Sequence, residues 1–524
     1  MNEARIFQTY KELFSVDGKL IYAGTLLKRA YDLFPDNRAL DATSRTMTYR
    51  ELFFRAVRLS AVLQRHGVKP RDKVALLYEN SPEFFVAYFA IWQCGAVVVP
   101  LNTFLHHKEL AYIINDAAPS VIIVSPTHKS SCDALSSEAL SCSPVMLSSE
   151  IFDWQMPVPD NVDEELKRAD VYQLDDDELC VLLYTSGTTG TPKGVMLSSR
   201  NVMTNALQDY ARFTLIGMST NERIFCVLPL FHVFAQNTCL WLPIMAGACV
   251  IIVSRIDRSM IMAGLKKKPT LFFGMPALFG LLCLMKKAPL DSVKIFISGA
   301  DMLPAKISAA FSIIYGRKIC PGYGLSEAAP VVAVNAENTT TSTIVVGYPL
   351  VGIECQIRDD AGTVYGPDTL GTLWVKGDNV MLGYYKAPHV TQQILVDGWL
   401  NTGDVASMDS CGKLSIHGRI KDVIIHKGFN IYPAEIENVL LMHPAVFKAA
   451  VIGTQDADAG QIAVAFVATK QIDERLETDL RDLCTRNLAA YKVPRVFVCR
   501  DDLPLNATGK VDKKQLRATL TQGE

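Results

Sequence analysis

The sequence predicts an α/β protein with a large N-terminal domain of α/β subdomains plus a β-barrel-like unit, followed by a small C-terminal α+β domain. Three observations carry this reading. Apolar strand-like runs alternate with helical periodicity through the first two thirds of the chain. From about residue 343 the pattern changes to short alternating strands with Gly and Asp turns, as in "ECQIRDDAGTVYGPDTLGTLWVKGD". At 524 residues the chain is also too long for one ordinary core, which suggests roughly two to four domains. The division is expected at residues 1–419 and 420–524.

The elements follow in order. Thr48 to Glu51 forms a capping-box signature ahead of Leu52, Ala56, Leu59 and Leu63, which share one helix face. "DKVALLYEN" reads as a strand, Ser81-Pro82-Glu83 opens a helix that stops near Gly95, and "AVVVPL" is the next strand. Strand, helix, strand implies parallel pairing. The acid-rich stretch 154–178 reads as an exposed connector. "RIFCVLPL", "GACVIIV", "TLFFGM" and "VKIFISGA" repeat the strand rhythm, and helices are expected near 433–442 and 473–489.

Composition excludes several classes. Lys plus Arg total 52 against 54 Asp plus Glu, a formal charge of −2, and no basic block marks a nucleic-acid face. The 13 cysteines include no C-x-x-C pair and the nine histidines no metal-ligand spacing, so reduced thiols in a cytoplasmic protein are expected. The N-terminus lacks the basic end and apolar run of a signal peptide, and the mature chain is expected to begin there. The longest apolar stretches fall short of the ~20 residues of a spanning helix. A hydrophobic fraction of 49 % still leaves open peripheral contact with the inner membrane, an apolar substrate tunnel, or ordinary core.

Function is concentrated in "LLYTSGTTGTPKGVMLSS", residues 182–199. Thr185, Ser186, Gly187, Thr188, Thr189 and Gly190 offer short hydroxyls and unobstructed backbone N–H groups, and Lys193 adds a positive charge. That combination suits phosphate oxygens. It is not a P-loop, because Pro192 stands where the second glycine belongs. Nor is Ser186 preceded by the glycine of a nucleophile elbow, and "GLSEA" matches that elbow only in part. Composition alone leaves a plain surface loop equally open.

The full string Y-T-S-G-T-T-G-x-P-K-G closely resembles the phosphate loop of the acyl-adenylate-forming superfamily, and further motifs extend the resemblance over nearly the whole chain. It implies that "SGADMLP" (Gly299, Ala300, Asp301) and "GYGLSEAAP" (Gly322, Tyr323, Gly324, Ser326, Glu327) form the adenine and α-phosphate segment. Tyr323 would stack on adenine, Ser326 would meet the α-phosphate, and Glu327 would ligate Mg²⁺. Asp404 in "GWLNTGD" would take the ribose hydroxyls. In "GRIKD", Arg419 would be a second ribose or phosphate contact and Lys421 the hinge. His232 in "PLFHVFA" would lie beside the acyl carboxylate, and Lys510 in "LPLNATGK" would be the catalytic lysine.

The reaction so implied consumes ATP with Mg²⁺, forms acyl-AMP and pyrophosphate, and transfers the acyl group to CoA. A swing of the small domain would bring Lys427 and Gly428 into the pantetheine path. The motifs look most like bacterial medium- or long-chain fatty acyl-CoA synthetases, with segments 234–245 and 271–285 walling the acyl pocket or serving as core. A free-standing ligase that loads an acyl carrier protein is the alternative acceptor reading. A nucleotide-binding regulator without catalysis is the alternative of another class, against which intact Lys193, Glu327, Asp404, Arg419 and Lys510 argue.

Overall fold

The computed structural model describes residues 2–138, 140–160, 162, 172, 175–185, 192–336, 342–427, 429–456, 460–470, 475–506 and 510–521. Three principal sheets organise them. In the first, Leu179–Thr185, Val97–Pro100, Lys73–Leu77, Val121–Val124 and Val145–Leu147 run parallel. Lys193–Ser198 and then the two-residue strand Gly383–Tyr384 add to one edge in antiparallel sense.

The second sheet has a parallel half in the order Ile319–Gly324, Ile295–Ser298, Leu271–Gly274, Arg223–Cys226, Cys249–Ile252 and Arg38–Asp41. Ile295–Ser298, Leu271–Gly274 and Cys249–Ile252 are near-continuous apolar runs, buried throughout, as strands covered on both faces are. An antiparallel half continues through Val331–Val334, Val345–Pro349, Leu414–Arg419, Trp399–Met408, Gly371–Lys376 and Glu354–Arg358. This is the unit that the alternating pattern after residue 343 predicts. The small C-terminal sheet contains Phe429–Ile431, Ile424–His426, Gly460–Thr469, Val446–Asp456 and Val496–Arg500, flanked by helices Pro433–Leu440 and Leu476–Asn487.

Two buried helices join the large sheets. Pro82–Gln93 is apolar on every side, and Phe84 to Gln93 are all buried, as such a helix must be. Ser81 caps it by accepting from Phe84 N at 3.3 Å. Trp92 Nε1 donates to Cys180 O in the first sheet at 3.0 Å, and Tyr88 Oη donates to Gln236 Oε1 beside the second at 2.8 Å.

The other helix, Ser199–Leu215, is also buried from Asn201 to Phe213 yet carries Asn201, Asn205, Gln208, Asp209 and Arg212. Most of these find partners in distant loops, as buried polar groups must. Asn201 Nδ2 donates to Asp378 O and Val380 O, both at 2.8 Å. Asn205 Nδ2 donates to Val331 O at 2.7 Å, and its Oδ1 accepts from Val331 N at 2.9 Å. Arg212 donates to Val334 O, Tyr348 O and Pro349 O. The helix is thus a polar spine to which segments 331–351 and 378–380 are fastened.

Across the domain boundary, Lys306 Nζ donates to His443 O and Val446 O, each at 3.1 Å. Among the described residues no helix is long and apolar enough to cross a membrane. The cysteines form no disulfides and are mostly buried.

Candidate active site

The motif residues gather at the C-terminal ends of the parallel strands, where open α/β sheets place ligands. Strand Ile319–Gly324 delivers Tyr323, and the turn Ser326–Ala328 that follows presents Ser326 and Glu327. Gly324 has to be glycine, since a Cβ there would lie 2.2 Å from Pro330 O. Gly299 and Ala300 follow the neighbouring strand Ile295–Ser298. A Cβ on Gly299 would stand 3.0 Å from the Phe234 ring, and Ala300 holds a left-handed φ of 67°. Asp301 turns back on its own chain, its Oδ1 accepting from Met302 N at 2.9 Å.

Asp404 and Arg419 face each other across two antiparallel strands. A bulge at His417 sets this register: Ala406 pairs with Ile416, whereas Val405 pairs with Gly418 and Asp404 with Arg419. Arg419 Nε lies 2.8 Å from Asp404 Oδ1, and Tyr323 Oη donates to Asp404 Oδ2 at 2.5 Å. Burial pushes the Asp404 carboxyl up while Arg419 opposes it. Burial and Asp404 together push the Tyr323 phenol well up, so it stays a donor. Each carboxylate oxygen keeps a second acceptor direction for a hydroxyl.

The phosphate loop begins and ends in register, Lys193 pairing directly with Thr185. Ser186, Gly187, Thr188, Thr189 and Gly190 lie outside the described residues. Tyr384, which the sequence does not mark, sits between Lys193 and Glu327. Its Oη donates to Glu327 Oε1 at 2.7 Å, and Lys193 Nζ lies 5.4 Å from its ring centroid.

Asn80 is a second residue the sequence did not flag. Buried just before the Pro82–Gln93 helix, it donates to Leu228 O and Val253 O and accepts from Leu230 N, which fixes the "PLFH" loop. His232 then stands at the start of helix Val233–Gln236, its ring centroid 5.0 Å from that of Phe231. Burial, aided by the charge of Lys510, lowers its pKa to about 4. The same ammonium favours ionised Asp404, so the charge of Lys510 acts on both groups. Asn506 Oδ1 accepts from Lys510 N at 3.1 Å and holds the lysine's turn.

Lys421 lies in the turn Ile420–Asp422 that links the two domains. Lys427 is exposed in the next hairpin, whose Phe429 stacks on Tyr491 at 4.9 Å, and no described contact joins that hairpin to Glu327 or Asp404. Gly428 lies outside the described residues.

Of the segments expected to wall an acyl pocket, much is core. Phe272, Phe279, Phe296 and Phe311 form one aromatic cluster, and Trp241 stacks on Trp92. Half-buried Phe234 and Met275 remain near the site. A cavity of about 170 Å³ lined by Leu271, Lys294 and Ile295 lies at the opposite, N-terminal end of the strands and has no part in this constellation.

The donor set fits a magnesium nucleotide. Glu327 would supply the hard carboxylate oxygen and Lys193 and Lys510 positive charge, and Mg²⁺ typically takes one or two protein carboxylates plus phosphate oxygens.

Fold and site together define an adenylate-forming enzyme. The family model described as AMP-binding enzyme matches residues 27–385, and that of the AMP-binding enzyme C-terminal domain matches 435–510. The chain belongs to this family and is an AMP-forming acid–CoA ligase, a class that uses ATP, Mg²⁺ and CoA. It is 32 % identical to a long-chain-fatty-acid–CoA ligase of Bacillus subtilis (strain 168) over 518 residues, 92 % of each chain. It is 34 % identical to a feruloyl-CoA synthase of Amycolatopsis sp. over 478 residues, 90 % of this chain and 93 % of that one. Among solved structures, o-succinylbenzoate CoA synthetase (MenE) of Bacillus subtilis in complex with ATP and magnesium ion superposes with a TM-score of 0.81 at 28 % identity, covering 94 % of this chain and 99 % of that one.

Proposed function

We propose that the acid is an unbranched fatty acid and that the motif residues act as the resemblance implies. The observation that supports the assignment of roles is that the charge of Lys510 acts on both His232 and Asp404. One cation thereby spans the place of the acyl carboxylate and that of the nucleotide. A carboxylate oxygen of the acid attacks the α-phosphorus, the bond to the bridging oxygen breaks, and pyrophosphate leaves with the electron pair. Lys510 neutralises charge between the two anions as they meet, and Lys193 holds the departing phosphates. Glu327 would hold Mg²⁺, which supplies charge neutralisation at the phosphate oxygens when bound. Tyr323 lines the adenine side, and Asp404 with Arg419 receives the ribose. Neutral His232 and the Phe231 and Phe234 rings present an apolar, uncharged wall to the acid.

In the second half-reaction the small domain, residues 420–524, turns about Lys421. The CoA thiolate enters beside Lys427 and Gly428, attacks the acyl carbonyl, and AMP departs. A fatty acid is favoured because long-chain-fatty-acid–CoA ligases recur among the relatives. An aromatic acid is the second reading, since the feruloyl-CoA synthase is as similar in sequence.

The test is a panel of saturated acids of rising length together with ferulate-like and benzoate-like acids. Each is run with CoA and with a holo acyl carrier protein, measuring pyrophosphate and thioester. Affinity should rise with chain length by about 0.8 kcal/mol per buried CH₂ up to a limit. Preference for an aromatic acid would overturn the fatty-acid assignment, and thioester formed only on the carrier protein would overturn CoA as acceptor. No pyrophosphate with any acid would favour a nucleotide-binding regulator.

A further inference from the structure

Segment 381–385 makes contacts that none of the proposed roles uses. It enters the first sheet as the short strand Gly383–Tyr384, with Tyr384 opposite Val195 and Gly383 opposite Met196. Tyr385 N donates to Gly194 O at 2.7 Å and Leu382 N to Met196 O at 3.0 Å, so the segment is laced to the strand that Lys193 opens. Its other side holds residue 327 twice: Met381 N donates to Glu327 O at 2.9 Å, and Tyr384 Oη donates to Glu327 Oε1 at 2.7 Å. Tyr384 is itself fixed, its N donating to Thr391 Oγ1 at 2.8 Å. Thr391 packs so closely that a Cβ on Gly383 would meet its Cγ2 at 2.7 Å. The Tyr384 ring turns a face towards Lys193 Nζ, the geometry in which a cation is attracted to an aromatic quadrupole.

We infer that Tyr384 is a positioning residue that fixes one oxygen of Glu327, so that the other is aimed at the divalent cation of the bound nucleotide, and that its ring steadies Lys193. This rests on the metal role proposed for Glu327. A carboxylate that ligates a metal with one oxygen rotates freely unless the other is held, and groups that hold it set the affinity of the site.

The experiment uses Mn²⁺ as the metal probe and an α,β-methylene ATP analogue, which cannot be adenylated onto an acid. Free Mn²⁺ is read by electron paramagnetic resonance, and analogue affinity without metal by calorimetry. Tyr384→Phe should weaken Mn²⁺ binding to the enzyme–analogue complex by about 10- to 100-fold. Metal-free analogue binding should stay within about twofold, because the ring beside Lys193 remains. Tyr384→Leu should weaken both, and Glu327→Gln should lose Mn²⁺ at least as far as Tyr384→Phe. Thr391→Val, which removes the hydroxyl that fixes Tyr384, should weaken Mn²⁺ in the same direction and stands in if Tyr384→Phe does not fold. Wild-type Mn²⁺ affinity in Tyr384→Phe overturns the inference and leaves the Glu327 assignment standing if Glu327→Gln has lost the metal. Wild-type affinity in Glu327→Gln overturns both. Unchanged metal-free binding in Tyr384→Leu removes the Lys193 half.

Discussion

His232 is held where both burial and the Lys510 ammonium disfavour a second positive charge, which brings its pKa down to about 4. In the unfolded chain it titrates near its ordinary value of about 6.5. Between those values the unfolded state binds a proton that the folded state does not. Stability from this group is therefore present above about pH 6.5 and is lost as pH falls towards 4. His232→Gln should flatten that part of the stability curve, which urea unfolding across the window would measure. Lys510→Ala should raise the His232 pKa without restoring it fully, because burial is the larger cause. The proton signal of the ring in an NMR titration reads this directly, and an unmoved pKa would show that Lys510 does not face His232.

At the scale of elements, the Ser199–Leu215 helix contributes through its polar atoms as well as its apolar ones. Asn205→Ala removes both bonds to Val331 and the one accepted from Asn237, and leaves backbone groups unpaired in the core. A cost of about 2–4 kcal/mol is expected by chemical denaturation, with weaker ATP binding because Ala328 to Val331 carry the chain away from Glu327. Such a role was not legible in the sequence. The strands at 223–226, 249–252, 271–274 and 295–298 were, because a buried parallel strand is written in consecutive apolar residues. Helix Tyr49–Arg65 was too, through its Thr48 cap, which accepts from Glu51 N at 3.2 Å. Asn205 reads locally as an ordinary helix polar residue, and its partner lies 126 positions away. Tyr384 is 57 positions from Glu327, and Asn80 148 from Leu228. Local periodicity carries no record of such pairs, whereas the glycine, lysine and carboxylate motifs are contiguous and could be read directly.

At the scale of the whole molecule, the small domain is docked so that the charge of Lys510 acts on His232 and Asp404 of the large one. Lys306 helps to keep it there, since its ammonium is given to two carbonyls of that domain. Burial lowers the Lys306 pKa, as expected for a cation partly withdrawn from water. Lys306→Met should loosen this arrangement, slowing acyl-AMP formation by a few fold while thioester formation from supplied acyl-AMP holds or rises. Lys510→Ala should be far more selective. Losing one preorganised cation costs about 10²–10³ in rate, about 2.7–4 kcal/mol, and that loss should fall on adenylation alone. Single-turnover assays of each half-reaction would separate the two variants, and equal damage to both steps in both would contradict two working positions of the small domain.

The bulge at His417 has a consequence for how this chain can diverge. Side chains along a strand alternate between faces, so if His417 paired regularly instead of bulging, Gly418 would stand opposite Asp404 and Arg419 would be carried one place on, to the other face. The strand therefore tolerates loss of the bulged residue better than gain of another. An insertion–deletion library through 414–419, selected for acyl-AMP formation, should return the native length or the deletion of His417, and no insertions.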